Sequence, residues 1–178
     1  MRRILRRREI VTDDWSHFGE GSAESAALIV PLPELRKDPQ RWWQWQGRLG
    51  VRLTPVDRAE ELAEWLPRLD LVAVEFPTPG DGRGYSSARL LREVLGFRGE
   101  LRALGAGVRR DQVFLLARCG FDALELPAGE DPEAARSALD RYDVAYQPGA
   151  AAVPVRRQRF PAGGSDPGQP GGISAPER

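Results

Sequence analysis

The sequence predicts an α/β fold of about five β-α units forming a mainly parallel sheet, either open and doubly wound or curled as part of a β/α barrel. Two observations predict it. Short apolar runs recur every 20 to 30 residues with amphipathic helical patterns between them, the length that a crossover between parallel strands requires. One run, LDLVAVEF at 69–76, is apolar almost throughout, as a central strand covered on both faces must be.

The elements follow in chain order. Ile4, Leu5, Ile10 and Val11 flank a charged turn and predict a small hairpin within the basic segment 1–12. Runs at 28–30, 51–53, 69–76, 100–104 and 122–126 read as strands, several of them β-branched and bounded by Gly or Pro. Trp42, Trp45 and Leu49 share one face of a first helix, with Trp43 off that stripe. Asp57 caps a pattern of Leu62, Trp65, Leu66 and Leu69 at i, i+3, i+4 and i+7. Ser86 and Ser87 are alternative N-caps of the helix carrying Leu91, Val94 and Leu95, and Asp111 caps one carrying Val113, Leu116 and Ala117. A last helix has Asp131 as N-cap, Pro132 at its first position, and Ala135, Ala138, Leu139 and Tyr142 on one face.

A chain of 178 residues supplies one core, so the reading is a single α/β domain over 1–148 and a Gly/Pro-rich tail over 149–178. From Pro148 onward 12 of 31 residues are Gly or Pro, a composition that cannot offset its ordering entropy by burial and predicts disorder. Lys plus Arg and Asp plus Glu both total 26, which argues against a nucleic-acid partner. The balance is a sum of unlike parts: residues 1–8 hold five Arg, while 9–147 hold 17 basic and 24 acidic groups. Because 25 of the 26 basic residues are Arg, an Arg here is weaker evidence for anion binding than usual. The single Cys119 and single His17 rule out an internal disulfide, a four-thiolate cluster and the common multi-histidine metal sites within this chain. Cys119 reads as a small buried hydrophobe and His17 as a surface or cap residue. No run approaches the roughly 20 apolar residues of a membrane helix, so a cytoplasmic protein without a membrane partner is the expectation.

Ligands of parallel sheets bind beyond the carboxyl ends of the strands, which directs attention to the segment after Phe76. There PTPGDGRGYSSARLLRE brings Asp81, Gly82, Arg83, Gly84, Tyr85, Ser86, Ser87 and Arg89 into one loop and helix start. Glycines allow close backbone approach, a helix start presents unpaired N–H groups, and arginines add charge-assisted bonds. The next strand end offers Arg102, Asp111 and Gln112. Between 81 and 118 there are eight Arg and four acids, so a small oxyanion held by Arg83, Arg89 and Arg102, with Asp81, Tyr85 or Asp111 handling protons, is one expectation. The spacing is neither a P-loop nor a dinucleotide fingerprint. No redox cofactor motif is evident, and the cofactor is left unknown.

The blocks DGRGYSSARLLRE, GELRALG, DQ and RCGFDALEL resemble a bacterial family of unknown function encoded beside assimilatory sulfite or nitrite reductase genes. Agreement extends to DDW at 13–15, IVPL at 29–32, LGVRL at 49–53 and LVAVEFP at 71–77, covering 13–147. Members are described as oxidoreductases of sulfite reduction. The resemblance implies an accessory protein of sulfur assimilation and cysteine biosynthesis, acting with the sulfite reductase haemoprotein or its electron donor. An enzyme or sensor of a small oxyanion or phosphorylated metabolite, and a pure docking domain, are the other readings. One departure stands out: the family has an acidic residue after the glycine of the GELRA block, where this chain has Ala106 and Gly107.

Overall fold

The computed structural model describes residues 2–20 and 26–139. Tyr142 and the segment 149–178 lie outside the described residues. In chain order the elements are β1 (Arg3–Arg6), β2 (Glu9–Thr12), β3 (Ser16–His17), β4 (Ala27–Pro31), α1 (Leu32–Lys37), α2 (Pro39–Trp43), β5 (Arg48–Leu53) and β6 (Leu71–Glu75). They continue with α3 (Arg83–Arg89), β7 (Glu100–Leu104), α4 (Val113–Arg118), β8 (Ala123–Leu124) and α5 (Pro132–Leu139).

All eight strands belong to one sheet of order β2-β1-β8-β7-β6-β5-β4-β3. Pairing is parallel from β3 through β8 and antiparallel at β8–β1 and β1–β2. The sheet is therefore mixed rather than mainly parallel: the N-terminal hairpin, expected ahead of the β-α units, adds to the sheet beside its last strand. Parallel strands in sequential order place successive right-handed crossovers on the same side, which excludes the doubly wound alternative. Covalent geometry adds the curvature. Asp13 to Trp15 are the only residues between β2 and β3, which form opposite edges of the sheet. A flat sheet of eight strands is about 34 Å across, whereas the chain from Thr12 to Ser16 reaches about 14 Å at most. The sheet closes that gap by curling into a half-barrel.

Helices cover the convex side, where Val30, Val51, Val72, Val74, Leu101 and Leu124 meet Trp42, Leu62, Leu91 and Leu116 in the main core. β6 is the interior strand expected from LDLVAVEF, with Leu71 to Val74 all buried. α5 starts as expected, Asp131 Oδ1 accepting from the Glu133 N–H at 3.0 Å. One expected helix does not form and another is shorter than its stripe. The pattern at 57–69 folds as two 3₁₀ turns, Ala59–Leu62 and Leu66–Arg68, because Pro67 lacks an N–H and its ring blocks the preceding turn. The stripe of Trp42, Trp45 and Leu49 is cut at α2, since Leu49 is needed in β5. Trp43, off the stripe, is half exposed and stacks on Trp65 at 4.7 Å. Among the described residues no helix is long and apolar enough to cross a membrane.

At the amino ends of the strands a π-helical turn, Leu90–Val94, extends α3. It aims Arg92 at the carbonyls of Gly120, Phe97 and Gly99 and at the Asp122 carboxylate. One guanidinium thus ties the loop before β7 to the loop before β8.

Candidate functional site

At the carboxyl ends of the strands, the loops after β6 and β7 are packed on each other. Phe76 N–H donates to Leu104 O at 2.8 Å, and Gly107 N–H donates to Phe76 O at 2.7 Å. Gly105 has φ +104°, and a Cβ there would stand 2.5 Å from Phe76 O. A Cβ on Gly84 would stand 2.5 Å from the tip of the Phe76 ring. That contact lets Tyr85 pack edge-on against Phe76 with centroids 5.1 Å apart. The Tyr85 hydroxyl donates to Gln112 Oε1 at 3.3 Å, and Gln112 Nε2 donates to Pro79 O at 2.7 Å. Gln112, one of the candidates at the end of β7, therefore pins the two loops together.

Several expected roles change. α3 begins at Arg83 with Gly82 as its N-cap, so Ser86 and Ser87 lie inside the helix and cap nothing. The orphan donors of a helix are those of its first turn, and the Arg83 N–H is already taken by Asp81 Oδ1 at 3.2 Å. Ser87 instead donates its hydroxyl back to Arg83 O at 3.4 Å. α4 has Gln112 rather than Asp111 at its N-cap, with no side-chain cap bond; Asp111 is exposed.

The cations expected to converge on an anion are each engaged by a carboxylate. Arg83 is held by Asp81 through Nε at 3.0 Å and Nη2 at 2.7 Å, and this contact keeps the Asp81 carboxyl below its ordinary pKa. Arg89 pairs with Glu93 one turn on, at 3.1 Å. Burial, with the charges of Cys119 and Asp111 nearby, pushes the Tyr85 phenol up, so it serves as a neutral hydrogen-bonding group. Burial likewise raises the Cys119 thiol, the condition of an unreactive cysteine. Ala106, where the resembling family has an acid, is exposed at the crest of the loop after β7.

Arg102 lies elsewhere. Alternation along β7 turns Glu100, Arg102 and Leu104 to the concave side and Leu101 and Ala103 to the convex core. Its guanidinium, fully buried, donates to Asp13 Oδ2 at 2.9 Å and twice to Glu100 Oε1 at 2.9 and 2.8 Å. Burial works against its charge, yet Glu100 and Asp13 outweigh burial and raise its pKa further. Asp13 also accepts from Arg2 Nε at 2.9 Å. Glu125 completes the network, 3.2 Å from Arg2, 3.3 Å from His17 Nε2 and 3.9 Å from Arg102. Burial opposes ionisation of Glu125, but the His17 contact and the charges of Arg2, His17 and Arg102 together hold its carboxyl below the ordinary value. His17 is thus a buried partner in this network and not a surface residue. The sequence did carry one signal for it: two charges, Glu100 and Arg102, alternate along the run 100–104 that reads as a strand.

Residues 50–155 match the family model described as a bacterial protein of unknown function, DUF934. That span is more than half of the chain. The chain belongs to the DUF934 family. No curated protein matches it. The match takes in both strand-end loops, Arg102 and Glu125, and begins after the N-terminal segment that supplies Arg2, Asp13 and His17. Among the described residues no group of His, Cys, Asp and Glu is arranged to hold a metal ion.

Proposed function

We propose that this DUF934 chain is a cytoplasmic accessory protein of assimilatory sulfite reduction that docks on sulfite reductase or its electron donor through the strand-end surface carrying Asp81 to Arg89. The resemblance of the DGRGYSS and GELRA blocks supplies the pathway. The observation that favours docking over anion capture is the pairing of Arg83 with Asp81 and of Arg89 with Glu93, with Arg102 turned to the other side of the sheet. A surface whose charges are neutralised locally has little excess field to hold a small anion. It still offers exposed donors and acceptors, set on rigidly packed loops, to a protein partner.

The test is binding to purified sulfite reductase haemoprotein, and separately to its electron donor, by calorimetry at low salt. Wild type should bind one of them, and Ser86→Arg and Arg83→Asp should each weaken binding at least tenfold with unchanged circular dichroism. Absence of binding to both proteins, or binding indifferent to the two variants, rejects the proposal. Thermal stabilisation by sulfite, sulfate or phosphate that vanishes in Arg83→Ala would replace docking with oxyanion binding at the same loop.

A further inference from the structure

The segment 13–20 joins the two edges of the curled sheet, and its attachment differs in kind from that of the strands beneath it. Among the described residues, backbone bonds hold it through two ladder positions, Ser16 with Leu28 and His17 with Ile29, supplemented by the Phe18 N–H to Ile29 O bond and, at its start, the Asp13 N–H to Arg2 O bond. β4 to β7 share four or five positions at each junction. Side chains supply the rest. Trp15 covers an apolar patch on the concave face made by Ala27, Ile29, Leu71, Ala73 and Leu104, and Phe18 touches Trp42 edge-on at 5.9 Å. Ion pairs of Asp13 with Arg102 and of Asp14 with Arg48 and Arg6 anchor the segment to the sheet, and His17 Nε2 meets the Glu125 carboxylate at 3.3 Å. Arg2 adds a clamp from the strand side, donating to Trp15 O at 2.9 Å and to Asp13.

We propose that residues 13–20 form a releasable strap, latched by Asp13 on Arg102 and His17 on Glu125, whose opening uncovers the apolar concave face while β4 to β7 remain folded. The physical basis is a contrast in how opening costs accumulate. Detaching a strand of the sheet breaks a long ladder and exposes the main core, so it approaches global unfolding. Lifting the strap breaks a two-residue ladder and an ion-pair set whose charges regain hydration once they reach water. The groups that face the latch are Glu100 and Arg102 of β7, Arg2 just before β1 and Glu125 just after β8, with Asp13 and His17 from the strap itself.

Native-state hydrogen exchange on the full chain tests this without any substitution. Amides of residues 15–18 should show protection at least tenfold below those of residues 72–74. Asp13→Asn, which leaves Arg102 its Glu100 bonds, should lower strap protection a further tenfold and leave residues 72–74 unchanged. A second readout places a thiol under the strap: Ala73→Cys in a Cys119→Ser background should react with a thiol reagent at least tenfold faster once Asp13→Asn is added. Equal protection of the strap and residues 72–74, in wild type and Asp13→Asn alike, would overturn the proposal. So would a labelling rate of the introduced thiol that is indifferent to Asp13→Asn.

Discussion

Two clusters of arginine and carboxylate lie on opposite sides of the same strands, and they differ in reach. In the strand-end loops the partners are neighbours in sequence: Arg83 binds Asp81 two residues back and Arg89 binds Glu93 four residues on, with Arg83, Arg89 and Glu93 exposed and Asp81 half-buried. On the concave face Arg102 binds Glu100 two residues back but also Asp13, 89 residues away, and the Asp13 and Arg102 side chains are both fully buried. Pairs of the first kind organise a surface and contribute little to stability, because water and salt already solvate their charges. Pairs of the second kind cannot be broken singly without stranding a charge away from water. Number of ion pairs is therefore a poor guide here; separation along the chain and burial decide what each one does.

The sharpest way to break the comparison is Arg102→Met, which leaves Asp13 and Glu100 without their buried cation. We expect a loss of about 3–5 kcal/mol, read from urea denaturation; a loss below about 1 kcal/mol would place the concave network with the exposed pairs. Gly84→Ala forces a methyl into the Phe76 ring and should cost about 1–3 kcal/mol, showing that the strand-end loops depend on packing more than on charge. A pH series isolates Glu125. Its folded-state pKa is depressed below 4.5, so its contribution is complete above that value and disappears as pH falls through the lower folded one. Stability of wild type should fall more steeply than that of Glu125→Gln between pH 5 and pH 3. Arg8, at φ +77° in the hairpin turn, occupies a conformation that suits glycine, and Arg8→Gly should gain about 1 kcal/mol. Arg83→Ala should leave the denaturation midpoint where it was.

Legibility in the sequence followed the same division. All five expected runs became strands, because each is a local apolar segment whose burial any parallel sheet would require. The hairpin at Ile4, Leu5, Ile10 and Val11 formed for the same reason. The pattern at 57–69 misled because its spacing was sound while Pro67 vetoed the helix. At the candidate site the loop was legible but its electrostatics were not: Ser86 and Ser87 lost their capping role when α3 took Gly82, four residues before Ser86, as its N-cap. Arg102 was read as a strand-end cation because nothing local shows which way alternation turns it. Its partner sits in a three-residue connection whose path across the sheet depends on the curl of the whole.

That connection also fixes an order of events during synthesis. Arg2, Asp13 and His17 leave the ribosome well before Arg102 and Glu125, the partners they meet on the concave face. At about 5–20 residues per second, the segment carrying Asp13 and His17 waits several seconds or longer before the Arg102 and Glu125 side chains that latch it exist. Its final seating is thus the closing step of assembly, available only after the parallel strands have been made.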